Sequence, residues 1–185
     1  MTNRGQWIAV GGVLAAIAGV LIAAVSMSND LAPVSLGSPA PPFRAVSLTT
    51  GDSVGLDHYT GDVVLLNIWA TWCAPCEEEM PSIQRLYDEM APDGLKLVSV
   101  SVQFSSADAV RRWLADRHLT FPVLLDQAGH IEDIYQTTGV PETFVLDRHG
   151  VIVKKVIGAT AWDAPAQKAL IRRLLAERAQ PRSGG

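Results

Sequence analysis

Apolar positions fall in blocks of differing length and period along the chain, and each block predicts a different element. Residues 7–25 form a run of 19 without a charge. At about 1.5 Å per helical residue this run reaches roughly 28 Å, close to the ~30 Å hydrocarbon core of a bilayer. Residues 63–69, Val-Val-Leu-Leu-Asn-Ile-Trp, are a short continuous apolar run, the mark of a strand buried on both faces. A helix is expected over 73–90, and after Gly94 a second buried strand over 95–102. Val110, Trp113 and Leu114 recur at helical spacing behind Ser106, which predicts a helix capped by that serine and running through His118. Then come a strand over 121–125, a short helix over 131–135 and a hairpin pairing 143–146 with 151–157 through Asp147–Gly150. A helix over 164–178 closes the series. Alternating strands and helices followed by a hairpin and a helix define an α/β sandwich around a mixed central sheet.

Charge assigns sides to the first block. Arg4 and the amino terminus are the only charges before it, and every Asp and Glu lies beyond residue 29. Positive charge stays on the cytoplasmic side, so the remainder is expected to face outward from a bacterial cytoplasmic membrane. The segments are then a cytoplasmic N-terminus over 1–6, a transmembrane anchor over 7–27, a linker over 28–38, a folded domain over 39–178 and a flexible tail over 179–185. The competing reading is a signal peptide cleaved after a small-residue site near Ala24-Val25-Ser26, although apolar signal cores run to only about 7–15 residues. Gly11, Ala15, Gly19 and Ala23 fall four apart; an Ala/Gly-rich segment produces such a stripe without any packing role. Pro33, Gly37, Pro39, Pro41 and Pro42 give the stretch 28–42 the composition of an extended linker.

The 185 residues carry a formal charge of −4, which argues against nucleic acid as the main partner. About 140 residues beyond the linker suffice for one core. There are two cysteines, Cys73 and Cys76, standing in Trp69-Ala-Thr-Trp-Cys-Ala-Pro-Cys-Glu-Glu-Glu-Met-Pro81 between a buried strand and a helix. At the first turn of that helix Cys73 meets unpaired N–H groups and the positive end of the dipole, which stabilise a thiolate. Cys76 is one turn deeper, so the sulfurs face each other: the outer thiolate attacks a substrate disulfide and the inner thiol resolves the mixed disulfide. Pro75 shapes the first turn, where its missing N–H costs nothing.

Other uses of the pair fit less well. A structural disulfide closing so small a loop adds only about 2 kcal/mol of loop entropy. A zinc site needs two further ligands, and His58, His118, His130 and His149 are scattered. Haem attachment needs His directly after the second cysteine, where Glu77 stands. A thiol peroxidase needs Thr three and Pro seven residues before its cysteine, where this chain has Ala70 and Leu66. A Cu(I)-binding or copper-delivery module, with both thiolates as ligands and Met80 or a histidine assisting, is the alternative of a different class.

The segment Leu65–Cys76, Pro81 five residues after Cys76, Gly139-Val-Pro-Glu-Thr-Phe144 and the additional strand and helix across 95–125 resemble the thioredoxin superfamily. The likeness is closest to the membrane-anchored TlpA/ResA/CcmG-type thiol-disulfide oxidoreductases, over roughly residues 39–178. The resemblance implies a thioredoxin-like fold with a strand–helix insertion, and a redox-active Cys73–Cys76 disulfide in place of any cofactor or metal. It also implies a cis Val140-Pro141 bond beside the cysteines. Taken alone, Pro141 needs only the tolerance that the start of a strand gives a missing donor. Trp72, Ala74, Pro75 and the Val140 backbone are expected to meet the substrate, with Cys73, Cys76, Glu79 and Pro141 as the catalytic set. Protein thiols and disulfides are the expected substrates, among them apocytochrome c, oxidase copper-site cysteines and misoxidised envelope proteins. A DsbD- or CcdA-like membrane thiol carrier is the implied electron donor.

One departure matters. Thioredoxin has a buried aspartate six residues before its first active-site cysteine, and this chain has Asn67. The proton acceptor for Cys76 must lie elsewhere. Glu79, three residues on and leaning back toward Cys76, occupies the position of the active-site glutamate in the ResA-like group. Glu78 points away as a solvated charge, and Glu77 is i+4 from Cys73. The Ala74-Pro75 pair is neutral and the three carboxylates after it oppose thiolate formation; both features favour a reductant.

Overall fold

The structure, a computed structural model, describes residues 7, 11–22, 34–102 and 106–177. It divides into two compact units, Met1–Pro33 and Val34–Gly185. In the first, residues 11–22 are helical and exposed. Among the described residues no helix is long and apolar enough to cross a membrane. Residues 8–10 and 23–27 of the expected anchor, the 1–6 terminus, the first part of the linker and the 179–185 tail lie outside the described residues.

The second unit opens on β1 (Arg44–Ser47), β2 (Ser53–Gly55) and a 3-10 turn, Leu56–Tyr59. It continues through β3 (Val63–Trp69), α1 (Ala74–Met90), β4 (Leu95–Ser101), α2 (Ala107–Asp116) and β5 (Val123–Leu125). It ends with α3 (His130–Ile134), β6 (Glu142–Leu146), β7 (Ile152–Ile157) and α4 (Pro165–Ala176). The sheet is seven-stranded and mixed, in the order β2-β1-β5-β4-β3-β6-β7. Strands β3, β4 and β5 run parallel, while β1 and β6 pair antiparallel on either side of them.

Every residue of β3 is buried, as its unbroken apolar run requires. Ser106 caps α2 by accepting from the Ala109 N–H, and α2 stops at Asp116, two residues short of the expected end. The hairpin turn is held by Asp147, whose Oδ1 accepts from His149 N and Val151 N, while Gly150 takes φ +73°. The strands β1 and β2, absent from the expected elements, extend the sheet at one edge. The described part of the expected linker is tied down too. Val34 is buried, and Gly37 and Ser38 exchange backbone hydrogen bonds with Ile152. The stretch is not extended but turns, with Ser38 N bonding Ser35 O at 3.2 Å and Gly37 at φ +83°, and the start of β7 supplies it with partners.

The pleat sorts the helices. Asn67 and Trp69 share one face of β3; Asn67 meets Glu79 of α1, and Trp69 packs on Trp113 of α2 with ring centroids 4.9 Å apart. Helix α4 joins α1 through ion pairs of Lys168 and Arg172 with Glu89. Phe144 points the other way, against Tyr135, which in turn meets Phe43. The C-terminal ends of β3 and β4, and the start of α1, thus converge at one end of the sandwich.

Candidate active site

After β3 the chain turns through 70–73 and enters α1 with Cys73 as its N-cap. Cys73 N bonds Ala70 O at 3.2 Å, and Cys73 Sγ accepts from Cys76 N at 3.1 Å. Cys73 and Cys76 form a disulfide, S–S 2.06 Å, with Pro75 in the first turn of the helix. The expected asymmetry is present but small: Cys73 keeps 4% of its surface exposed and Cys76 none. Cys73 therefore lies at a narrow opening, not on an open terminus. Around it Trp72 is 66% exposed, and Ala74 and Pro75 are exposed as well.

From β6's approach, the cis Val140-Pro141 bond brings Val140 O to 3.4 Å from Cys73 Sγ. Pro141 is buried and Val140 half-buried. The residues expected around the sulfurs are thus brought together by three segments: 72–76, 140–141 and the first turns of α1.

The three glutamates separate as helical spacing requires. Glu77 and Glu78 are exposed, whereas Glu79 is 2% exposed. Glu79 Oε1 accepts from Asn67 Nδ2 at 2.8 Å and Oε2 from Thr160 N at 3.3 Å. Burial pushes its carboxyl up from 4.5 to about 7; the donations from Asn67 and Thr160 pull it partly back, and the nearby Trp162 indole acts in the same direction without reaching hydrogen-bonding geometry. A carboxyl that titrates near neutrality can both take and return a proton at working pH.

Several neighbours of the site are not announced by the sequence. Asn67 also donates to Thr143 Oγ1 at 2.8 Å, across the β3–β6 register that sets these two residues opposite each other. Arg117, beyond the end of α2, donates to Glu77 Oε1 at 2.8 Å and lies over the Trp113 ring at 4.2 Å from its centroid. Glu142, immediately after Pro141, is wholly buried on the opposite face of the sheet and paired with Lys155 at 2.8 Å. Of these, only Asn67 is signalled by the sequence, as an amide at the position where thioredoxin carries a buried aspartate. Met80 is fully buried in the core.

A mixed sheet of this topology with a Cys-x-x-Cys disulfide at a helix N-terminus defines a thioredoxin-like thiol-disulfide oxidoreductase. The chain belongs to the AhpC/TSA family, whose model matches residues 36–155. It is 35% identical over 155 residues to thiol-disulfide oxidoreductase ResA of Oceanobacillus iheyensis, covering 82% of this chain and 80% of that protein. It is 39% identical over 136 residues to thioredoxin-like protein YneN of Bacillus subtilis, covering 71% of this chain and 77% of that one. Among solved structures, a protein assigned as thiol:disulfide interchange protein DsbE of Chlorobium tepidum superposes with a TM-score of 0.70 at 30% identity, over 77% of this chain and 99% of that one. The enzyme class and the ResA-type resemblance expected from the motifs therefore hold.

Proposed function

We propose that the chain is an extracytoplasmic protein-disulfide reductase, held to the membrane by its 7–27 segment and resupplied with electrons by a DsbD- or CcdA-like thiol carrier. The observation that carries the reading is a buried carboxyl, Glu79, one turn behind a Cys73–Cys76 pair whose intervening residues, Ala74 and Pro75, are neutral. No cation between the cysteines favours the dithiol as strongly oxidising sites require, so the pair gives electrons up.

The reaction starts from the dithiol. Cys73 thiolate attacks one sulfur of the substrate disulfide, forming a Cys73–substrate bond and expelling the other substrate sulfur as thiolate. Cys76 then passes its proton to Glu79 and attacks Cys73 Sγ, which releases the second substrate thiolate. Two electrons have moved to the substrate, and the Cys73–Cys76 disulfide stands where the dithiol was. Val140's backbone offers an extended substrate a strand-like partner beside Cys73, and exposed Trp72 offers it an apolar wall. Apocytochrome c thiols, copper-site cysteines of oxidases and misoxidised envelope proteins are the substrate classes this reading admits. The position of Met80 inside the core favours exchange over copper delivery, which would need that sulfur at the surface.

Equilibration against glutathione tests the direction. A potential near the thioredoxin value of ~−270 mV supports a reductase, and one above about −180 mV contradicts it. Labelling Cys73 in intact cells with a membrane-impermeant thiol reagent tests the side: labelling without lysis supports the outward placement, and protection until lysis opposes it.

A further inference from the structure

We propose that Asn67, held by Thr143, is the positioning residue that sets Glu79 for proton exchange. This rests on the reading of Glu79 as the acceptor of the Cys76 proton. Asn67 is wholly buried, and both protons of its amide are committed: one to Glu79 Oε1 and one to Thr143 Oγ1, each at 2.8 Å. Its Oδ1 has no partner. A buried amide carries a desolvation cost that an apolar side chain branched at the same carbon would avoid. A side chain kept only for packing would not be an amide.

The orientation of that amide follows from chemistry. Toward the ionised carboxylate, which only accepts, the amide presents Nδ2; turning it over would set oxygen against oxygen in that form. The Thr143 hydroxyl, fixed opposite Asn67 by strand register, accepts the second proton and keeps the fork aimed. Asn67 thereby favours the charged form of Glu79, against burial, which favours the neutral one.

Among the described residues, no charged side chain of the sheet acts on the Glu79 carboxyl. Glu142 stands next to Thr143 in β6 but on the opposite face, paired with Lys155. Glu78 and Arg85 of α1 share a cleft with Glu79, Ser82 and Thr160, but Arg85 is bound to Asp163 at 2.6 Å in the loop before α4. Thr160 N is the remaining donor to the carboxyl.

The test is a carboxyl-carbon NMR titration of Glu79 in the oxidised full chain, alongside single-turnover reduction of a model disulfide against pH. Asn67→Leu should raise the Glu79 midpoint by about one pH unit, the tenfold weight of a hydrogen bond to a charged group. Thr143→Val should move it the same way by less, and Thr143→Ser should restore it. The kinetic profile should follow the midpoint, and Asn67→Leu should add nothing in a Glu79→Gln background. A midpoint that stays in place in both Asn67→Leu and Thr143→Val overturns the proposal; if Asn67→Leu does not fold, Thr143→Val decides. A midpoint that moves while Glu79→Gln leaves the kinetic profile unchanged upholds the role of Asn67 and overturns the acceptor role of Glu79.

Discussion

Val140 O stands 3.4 Å from Cys73 Sγ across 67 residues of sequence, whereas Cys76 is closed off beneath it. One sulfur of the pair therefore reaches the surface and the other faces the core. Limiting alkylation of the reduced chain, read by peptide mapping, should place most label on Cys73. A majority on Cys76 would reverse the assignment of attacking and resolving thiols.

Glu79 and Glu78 are adjacent in sequence and opposite in burial. Glu79→Gln removes a buried negative charge one turn from Cys76, so the thiol pKa should fall and resolution of the mixed disulfide should slow by about 10²-fold, the lower end of general-base effects. Glu78→Gln should do neither. Thiolate absorbance against pH and single-turnover kinetics distinguish the two. Because the carboxyl and the thiols interact, the measured pKa values belong to the group as a whole.

Raising a carboxyl's pKa on folding has a stability consequence of fixed sign. Between 4.5, its ordinary value, and about 7, its folded value, Glu79 holds a proton that the unfolded chain has released. Stability from this source is complete below that window and is lost as pH rises through it, by up to about 3 kcal/mol. Denaturant melts of the oxidised chain at pH 5 and pH 8 should show this loss, and Glu79→Gln should flatten it. Equal slopes in the two chains would place the carboxyl's titration outside the window.

Arg117 offsets the one acidic side chain of the first turn of α1, Glu77, and its guanidinium is seated on Trp113. Arg117→Gln leaves Glu77 uncompensated, i+4 from Cys73. The Cys73 thiol pKa should rise by about 0.5 unit, a modest step because both groups are partly exposed. The double variant Arg117→Gln/Glu77→Gln should restore it.

What could be read from the sequence depended on how local each cause is. The buried run of β3, the cap at Ser106 and the turn at Gly150 are set by neighbours in the chain, and they appear where the pattern puts them. The strands β1 and β2 do not: Val46 is 45% exposed, and β1 gains its place by pairing with β5, about eighty residues away in the chain. The cysteines were legible because their spacing carries the chemistry. Glu79 was legible from helical phase. That Asn67 joins Glu79 to Thr143 was not, since the contact spans 76 residues and depends on the β3–β6 register. Arg117 reaches Glu77 across 40 residues, with no pattern to announce it.

Cys73 attacks and Cys76 resolves in the proposed reaction. Cys76→Ala in the full, reduced chain separates the two steps. Mixed with a model disulfide, this variant should release one thiol per chain and accumulate a stable mixed disulfide mapped to Cys73, while Cys73→Ala should accumulate none. Release of both substrate thiols by Cys76→Ala, or an equal adduct on Cys76 in Cys73→Ala, would contradict the account.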